Sequence, residues 1–146
     1  MKLEIQKIDE NAFLPDYAHP TDSGMDLYSA EEKLIKSGET AVIRTGIKIK
    51  LPPDTEAQIR PKSGLAAKHS LTVLNTPGTI DEGYRGEICV IMINLGKSDF
   101  DVKIGSKIAQ MVISPVMRVE IAEVSKIKSD TDRGEDKFGS TGNMKK

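Results

Sequence analysis

Short segments in which apolar and polar residues alternate dominate the chain. The clearest is residues 47–51, where isoleucine and leucine alternate with lysine until two prolines end the pattern. Such alternation is typical of a strand with one face on the core and the other in water. By the same signal, we expect strands at residues 3–8, 100–104, 108–113 and 116–124.

Two further segments complete this picture. Residues 88–93 are almost continuously apolar, which predicts a strand buried on both faces in the middle of the molecule. The best helix candidate is short, residues 63–69, with Ser63 as its N-cap. Closely spaced strands with one short helix predict an all-β, antiparallel sandwich or barrel, because a parallel sheet would need crossover helices.

The composition narrows the class of protein. A length of 146 residues suits one domain, and a net charge of -1 argues against a nucleic-acid coat or a polybasic membrane binder. No apolar run approaches the roughly 18 residues that span a bilayer. The first residues contain acid where a signal peptide is apolar, and one cysteine needs no oxidising compartment. We therefore expect a cytoplasmic protein that binds neither membranes nor nucleic acid.

Metal-ligating side chains of the zinc type are scarce. One cysteine, Cys89, and two histidines, His19 and His69, are too few for a Cys/His zinc site. Because Cys89 lies inside an apolar run, we interpret it as a small core residue rather than a nucleophile.

The last 22 residues differ from the rest. Within residues 125–146 the strongly apolar side chains are Ile127, Phe138 and Met144, too few to offset the entropy of ordering the segment. We therefore divide the chain into a β-sandwich core, 1–124, and a flexible C-terminal tail, 125–146. The composition of the tail fits a frayed end and a flap over a phosphorylated base about equally.

Three internal stretches could carry chemistry. Asp26 stands between apolar neighbours. It fits either a turn residue that bonds to local backbone or a carboxylate that is held for a cation or water. Residues 60–65 place two cations before the start of the helix. This arrangement fits either a phosphate site or an ordinary capped helix with solvated cations. Residues 75–86 predict a long hairpin with polar side chains, in which Asp81 is the best candidate general base.

Taken in chain order with two later segments, these three stretches resemble the five motifs of the trimeric deoxyuridine triphosphatase (dUTPase) family. The similar segments are residues 23–27, 61–65, 75–88, 105–112 and 133–142. The resemblance implies a jelly-roll-like subunit, a homotrimer with shared sites, and a tail that closes the site of another subunit. It also implies Mg²⁺-dependent hydrolysis of dUTP to dUMP and pyrophosphate, which limits uracil in DNA and supplies dUMP for dTMP synthesis.

The resemblance further implies roles at the nucleoside end of the substrate. Asp81 would activate the attacking water and lie near the sugar 3′-hydroxyl, while Tyr84 would pack under the deoxyribose. Cys89 would add a largely backbone contact. Asn75 and the backbone of Thr79 and Ile80 would read the uracil edge, and Gly78 would be a further substrate-binding residue.

At the phosphate end, the resemblance implies that Asp26 holds Mg²⁺ through water. The residues facing the phosphates would be Lys62, Ser63, Gly64 and Gln110. From the tail, Phe138 would stack on the uracil, and Gly139 would be a further substrate-binding residue. The residues gripping the terminal phosphate would be Arg133, Ser140 and Thr141.

The chain departs from the family pattern at two positions. Lys62 stands where arginine is usual, which keeps the charge and loses the bidentate fork. Lys137 stands where glycine is usual before the phenylalanine, which removes a flexible position.

Two alternatives remain open. A dCTP deaminase would share the fold, although Ile91 stands where that family carries its catalytic glutamate. A non-enzymatic jelly-roll binding or assembly protein would explain the strands but leave Asp26 and Asp81 without a role.

Overall fold

The structure, a computed structural model, describes residues 1–135, 137–138 and 144. Ten strands and one helix lie within that part of the chain. Their bounds are β1 Glu4–Lys7, β2 Met25–Tyr28, β3 Lys33–Ile35, β4 Thr40–Lys50, β5 Thr55–Arg60, α1 Ser63–His69, β6 Leu71–Val73, β7 Gly78–Ile80, β8 Glu87–Asn94, β9 Phe100–Val102 and β10 Lys107–Pro115. The helix has seven residues, and no helix in the described part is long and apolar enough to cross a membrane.

The strands form two main sheets around one core. The first sheet has the order β1-β4-β8-β6, the second β2-β10-β5-β7, and β3 and β9 form a small ribbon. Every strand pair is antiparallel. The buried cluster draws apolar side chains from both main sheets, which confirms the predicted all-β, antiparallel sandwich with one short helix.

Alternation along the central strands produces this core. In β8 the side chains of Ile88, Val90 and Met92 are buried, whereas Cys89 and Ile91 are only half-buried. The prediction that residues 88–93 are buried on both faces is therefore wrong, and Cys89 is not a core residue. The strand is central in its sheet, as predicted, but the second sheet covers only one of its faces.

The predicted strand at residues 116–124 is wrong. Strand β10 ends at Pro115, and the alternating side chains beyond it are solvent-exposed, with Met117 90% and Ile121 93% exposed. In β10, Pro115 still lies opposite Thr55. After it the segment runs past the end of the sheet, so the apolar alternation has no neighbouring strand in its own chain.

The predicted long hairpin at residues 75–86 is correct only in part. Its flanking strands β6 and β8 do pair antiparallel, with Val73 opposite Met92. The connection between them, however, contributes strand β7 to the other sheet, where Gly78 lies opposite Ile59 of β5. The connection therefore links the two layers of the sandwich, which local turn chemistry alone could not indicate.

Helix α1 has the predicted residues but a different cap. Lys62 is the N-cap, with extended backbone angles, and Ser63 is already the first helical residue. No side chain caps this end. Pro61 fixes the chain just before the turn, so the helix begins one residue earlier than a Ser63 cap would require.

Gly46 lies at an irregularity in the pairing of β4 with β8, between Arg44 and Lys48. Its φ is +68°, and an added Cβ would lie 2.8 Å from the Cβ atoms of both Ala12 and Asp9. Gly38 also has a positive φ, +79°, but nothing lies within 4 Å of such a Cβ.

We expect Gly46→Ala to lower the free energy of unfolding by about 2–4 kcal/mol, because backbone strain and crowding add. Gly38→Ala is the matched control and should cost only the strain, about 1–2 kcal/mol. Urea unfolding at one fixed chain concentration measures both. Equal losses in the two variants would contradict the proposed crowding at Gly46.

Candidate active site

A buried carboxylate organises one end of the second sheet. Asp26, on β2, is 5% exposed, and its Oδ2 atom lies 2.7 Å from the Nζ atom of Lys107 on β10. Its Oδ1 atom accepts a hydrogen bond from the Nζ atom of Lys62, the N-cap of α1. The carboxylate is therefore bound to a lysine on each side.

These contacts set the charge state of Asp26. Burial on its own raises the pKa of Asp26, but hydrogen bonds from Lys107 and Lys62 and their positive charge more than offset it. The pKa of Asp26 is consequently held below its ordinary value of 3.8. The same pairing raises the pKa of Lys107.

A polar cavity of about 360 Å³ opens beside this carboxylate. Strands β2 and β10, helix α1 and the loop before β2 supply its walls. The residues lining it are Ala18, His19, Asp22, Ser23, Gly24, Asp26, Lys62, Ser63, Gly64 and Gln110. The structure thus brings together five of the predicted site residues: Asp26, Lys62, Ser63, Gly64 and Gln110.

The cavity offers groups that bind phosphate oxygens. Lys62 supplies an ammonium group, and the first N–H groups of α1 have no intrahelical partner. The Nε2 atom of Gln110 donates to the carbonyl of Pro61 at 2.9 Å, which fixes the amide at the cavity wall. The arrangement suits an anion with several oxygens better than an apolar ligand.

A second group of predicted residues lies on β7 and the turn after it. Asn75 packs over buried Gly78, since an added Cβ there would lie 3.1 Å from the Nδ2 atom of Asn75. Thr79 and Asp81 are exposed, and Ile80 is half-buried. The carbonyl of Asp81 accepts the backbone N–H of Tyr84 at 3.0 Å, so residues 81–84 form a turn.

The aromatic ring beside this turn is fixed in place. The hydroxyl of Tyr84 donates to the carbonyl of Glu87 at 3.0 Å, and its ring lies against Gly86, where a larger residue would displace the ring. Arg85 braces the same backbone by donating to the carbonyls of Glu82 and Tyr84 at 2.6 and 2.7 Å. Asp81 and Tyr84 therefore stand on an ordered loop.

Within one chain, Asp81 lies far from the cavity. Ile80 is opposite Ala57, five residues before Lys62, which at the rise of a strand is on the order of 15 Å. Cys89 is on the half-buried face of β8, where burial raises the pKa of its thiol. The structure thus forms two separate groups of predicted residues.

The tail residues belong to neither group. Arg133 and Phe138 are exposed, and neither lines the cavity. Gly139, Ser140 and Thr141 lie outside the described residues.

The cavity suits a Mg²⁺ ion that is held mainly by water and substrate phosphates and only partly by the protein. Across the described residues there is no group of three or more His, Cys, Asp or Glu side chains that could hold a metal by themselves. Mg²⁺ keeps several waters and often takes one or two carboxylates plus substrate phosphates. Asp26, one of the two carboxylates that line this polar cavity, is compatible with that chemistry.

Sequence reasoning missed several residues in the cavity or beside it. Lys107 was not assigned a role, although it holds Asp26, because the pairing of β2 with β10 is invisible in the sequence. His19 and Asp22 precede the first motif and pair with each other, with 3.2 Å between Nδ1 and Oδ2. The only sign in the sequence that they belong to the site is that they lie just before Ser23.

The chain is thus an antiparallel β-sandwich with a polar cavity whose cationic and N–H groups suit a phosphorylated ligand. The comparisons identify its family. A profile of the dUTPase family matches residues 10–142, and the chain belongs to this family.

Three known proteins illustrate the similarity. The chain is 61% identical over 142 residues to the deoxyuridine 5′-triphosphate nucleotidohydrolase of Clostridium acetobutylicum, covering 97% of both chains. The dUTPase of Staphylococcus bacteriophage 80alpha, solved with dUpNHpp, has a TM-score of 0.90 at 27% identity, covering 97% of this chain and 99% of that one. The dUTPase of phage phi11 of S. aureus, in which a structural Mg(II) ion is coordinated, has a TM-score of 0.81 at 26% identity, covering 86% and 98%.

The Asp26 pairing predicts how stability depends on pH. We expect Asp26→Asn to lower the free energy of unfolding by about 2 kcal/mol at pH 7, because two lysines lose their shared partner. A folded-state pKa below the unfolded value gives stability that is present above that value and lost as the pH falls. The difference between wild type and variant should therefore shrink below about pH 4.

Urea unfolding without nucleotide, at one chain concentration and a series of pH values, measures this difference. Lys107→Gln is the matched variant and should lose less, because Lys62 still pairs with Asp26. A difference independent of pH would refute the ionic explanation.

Proposed function

We propose that this chain hydrolyses dUTP to dUMP and pyrophosphate, with Asp81 activating the attacking water. The observation that carries the proposal is the polar cavity around Asp26, Lys62 and Gln110 in a chain of the dUTPase family. Relatives about 60% identical over nearly the whole chain are named for this reaction.

The triphosphate would lie in the cavity. Lys62, the Gln110 amide and the N–H groups of Ser63 and Gly64 would neutralise and orient its oxygens. Phosphoryl transfer depends mainly on such positioning and on charge stabilisation. Lys62 donates one point charge where an arginine would make a bidentate contact, and the hydrogen bond to Asp26 fixes its position.

The nucleoside would lie against the ordered loop. The ring of Tyr84, fixed through Glu87 and Gly86, is a rigid wall that would pack under the deoxyribose and exclude a 2′-hydroxyl. Asn75 and residues 78–80 would read the uracil edge. Asp81 is exposed on this loop, where its carboxylate could accept a proton from water.

Magnesium fits as a partner of the phosphates. Asp26 would hold its water shell, and the bound ion would supply further neutralisation of phosphate charge. The phage phi11 dUTPase coordinates a Mg(II) ion in a structural role, so a protein of the same fold binds this metal.

The complete site would combine several copies of the chain in a homotrimer. Asp81 lies on the order of 15 Å from the cavity of its own chain, which suits a cavity supplied by a second copy. The exposed apolar residues Met117, Val119 and Ile121 would be covered in such an assembly. Phe138, fully exposed in its own chain, would then cover the uracil bound to another subunit.

Purified protein with Mg²⁺ should convert dUTP to dUMP and pyrophosphate, with UTP, dTTP and dCTP much poorer substrates. We expect Asp81→Asn to lower kcat by at least about 100-fold, because it removes the base with little change in shape. Product chromatography and a pyrophosphate assay measure both. Ammonia release from dCTP would favour a deaminase instead, and no turnover of any nucleotide would favour a binding protein.

Mixing two inactive chains tests the shared site. One chain is Asp81→Asn and the other ends at residue 132, so neither alone should have more than residual activity. If base and tail come from different copies, unfolding and refolding an equal mixture should restore about a quarter of the sites. If they come from the same copy, the mixture should stay inactive.

A further inference from the structure

Three segments that are distant in sequence meet at Glu82, the residue directly after Asp81. The Oε2 atom of Glu82 accepts a hydrogen bond from the Nη2 atom of Arg118 at 2.9 Å. The same oxygen accepts the backbone N–H of Asp54 at 3.1 Å. The turn between β4 and β5, the chain after β10 and the loop carrying Asp81 are thus joined at one carboxylate.

Arg118 closes this cluster with its second nitrogen. Its Nη1 atom donates to the Oδ1 atom of Asp54 at 2.8 Å, so one guanidinium bridges two carboxylates. The carbonyl of Asp54 in turn accepts the backbone N–H of Val116 at 2.9 Å, which fixes the chain two residues before Arg118. Hydrogen bonds therefore fix both the backbone near Arg118 and its guanidinium group.

The cluster restrains the backbone of the Asp81 loop and contributes little to the stability of the hydrophobic core. The side chain of Arg118 is 59% exposed, and exposed ion pairs contribute at most about 1 kcal/mol each. The hydrogen bond from Arg118, with that from the backbone of Asp54, holds the pKa of Glu82 below its usual range. Because little global stability depends on the cluster, its main effect is on the position of residues 81 and 82.

We propose that Arg118 is a positioning residue for hydrolysis, which holds the Asp81 loop in place through Glu82 and Asp54. This inference rests on the proposed role of Asp81 as the base. Arg85 and the Tyr84 hydroxyl brace the backbone of the loop at residues 82, 84 and 87, and Arg118 adds a constraint through the side chain of Glu82, the residue after Asp81. A base displaced by about 1 Å can lose up to 100-fold in rate.

Lys103 offers a matched control. Its side chain is also 59% exposed and also bridges two carboxylates, with Nζ 2.8 Å from Asp101 and 3.9 Å from Glu32. It follows β9 and contacts neither the cavity nor the Asp81 loop. Replacing it removes a comparable surface interaction without touching the loop.

The test compares Arg118→Gln, Glu82→Gln, their double variant and Lys103→Gln in full-length protein. We expect Arg118→Gln to lower kcat for dUTP about tenfold, while the Kd of a non-hydrolysable dUTP analogue changes less than about threefold. The double variant should be no worse than the more affected single variant, because both break the same contact. Arg118→Lys should recover part of kcat, since lysine keeps the positive charge but lacks the guanidinium fork that contacts both carboxylates.

Hydrogen exchange at residues 79–86 gives a second readout. Arg118→Gln should accelerate it, and Lys103→Gln should change neither exchange nor kcat. Unchanged kcat in Arg118→Gln, or an equal loss in Lys103→Gln, would overturn the role of Arg118 while wild-type turnover and the loss in Asp81→Asn still support the proposed function. A wild-type chain without turnover would overturn both.

Discussion

The charge of Asp26 is the constraint on which this end of the molecule depends. A carboxylate as buried as this one is costly unless it is paired, and its two partners come from β10 and from the start of α1. Its pairing therefore fixes where the helix begins relative to the second sheet. The same contacts shape the cavity and leave Lys62 at its wall. One ionic interaction thus serves both the fold and the phosphate end of the candidate site.

The second sheet also explains why one chain holds the site in two parts. Strand β7 pairs with β5 so that Gly78 lies near the cavity end and the chain then runs away from it. Asp81 is consequently carried to the far end of β5, where the next residue, Glu82, contacts Asp54. The cluster around Glu82 orders that end, as the Asp26 pair orders the other. A site that joins both ends needs more than one copy of the chain.

Sequence reasoning succeeded where the pattern is local. Residues 47–50, most of β10 and all of α1 follow directly from alternation or helix propensity. It failed where a partner decides the outcome: residues 116–124 alternate like a strand but have no neighbouring strand in the chain. Likewise, continuous apolar character at residues 88–93 could not show that one face of β8 lacks a covering layer. Short strands such as β3 and β7 exist only because a longer strand pairs with them.

By itself the sequence determined the all-β class, the family and half of the residues that line the cavity. The class, the family and these residues can be read from which residues occur along the chain and in what order. Only the tertiary structure decided that Lys107 holds Asp26, that Arg118 reaches Glu82, and that Asp81 lies away from the cavity of its own chain. Such contacts join residues tens of positions apart, and they arise from strand pairing and register, which no local pattern specifies.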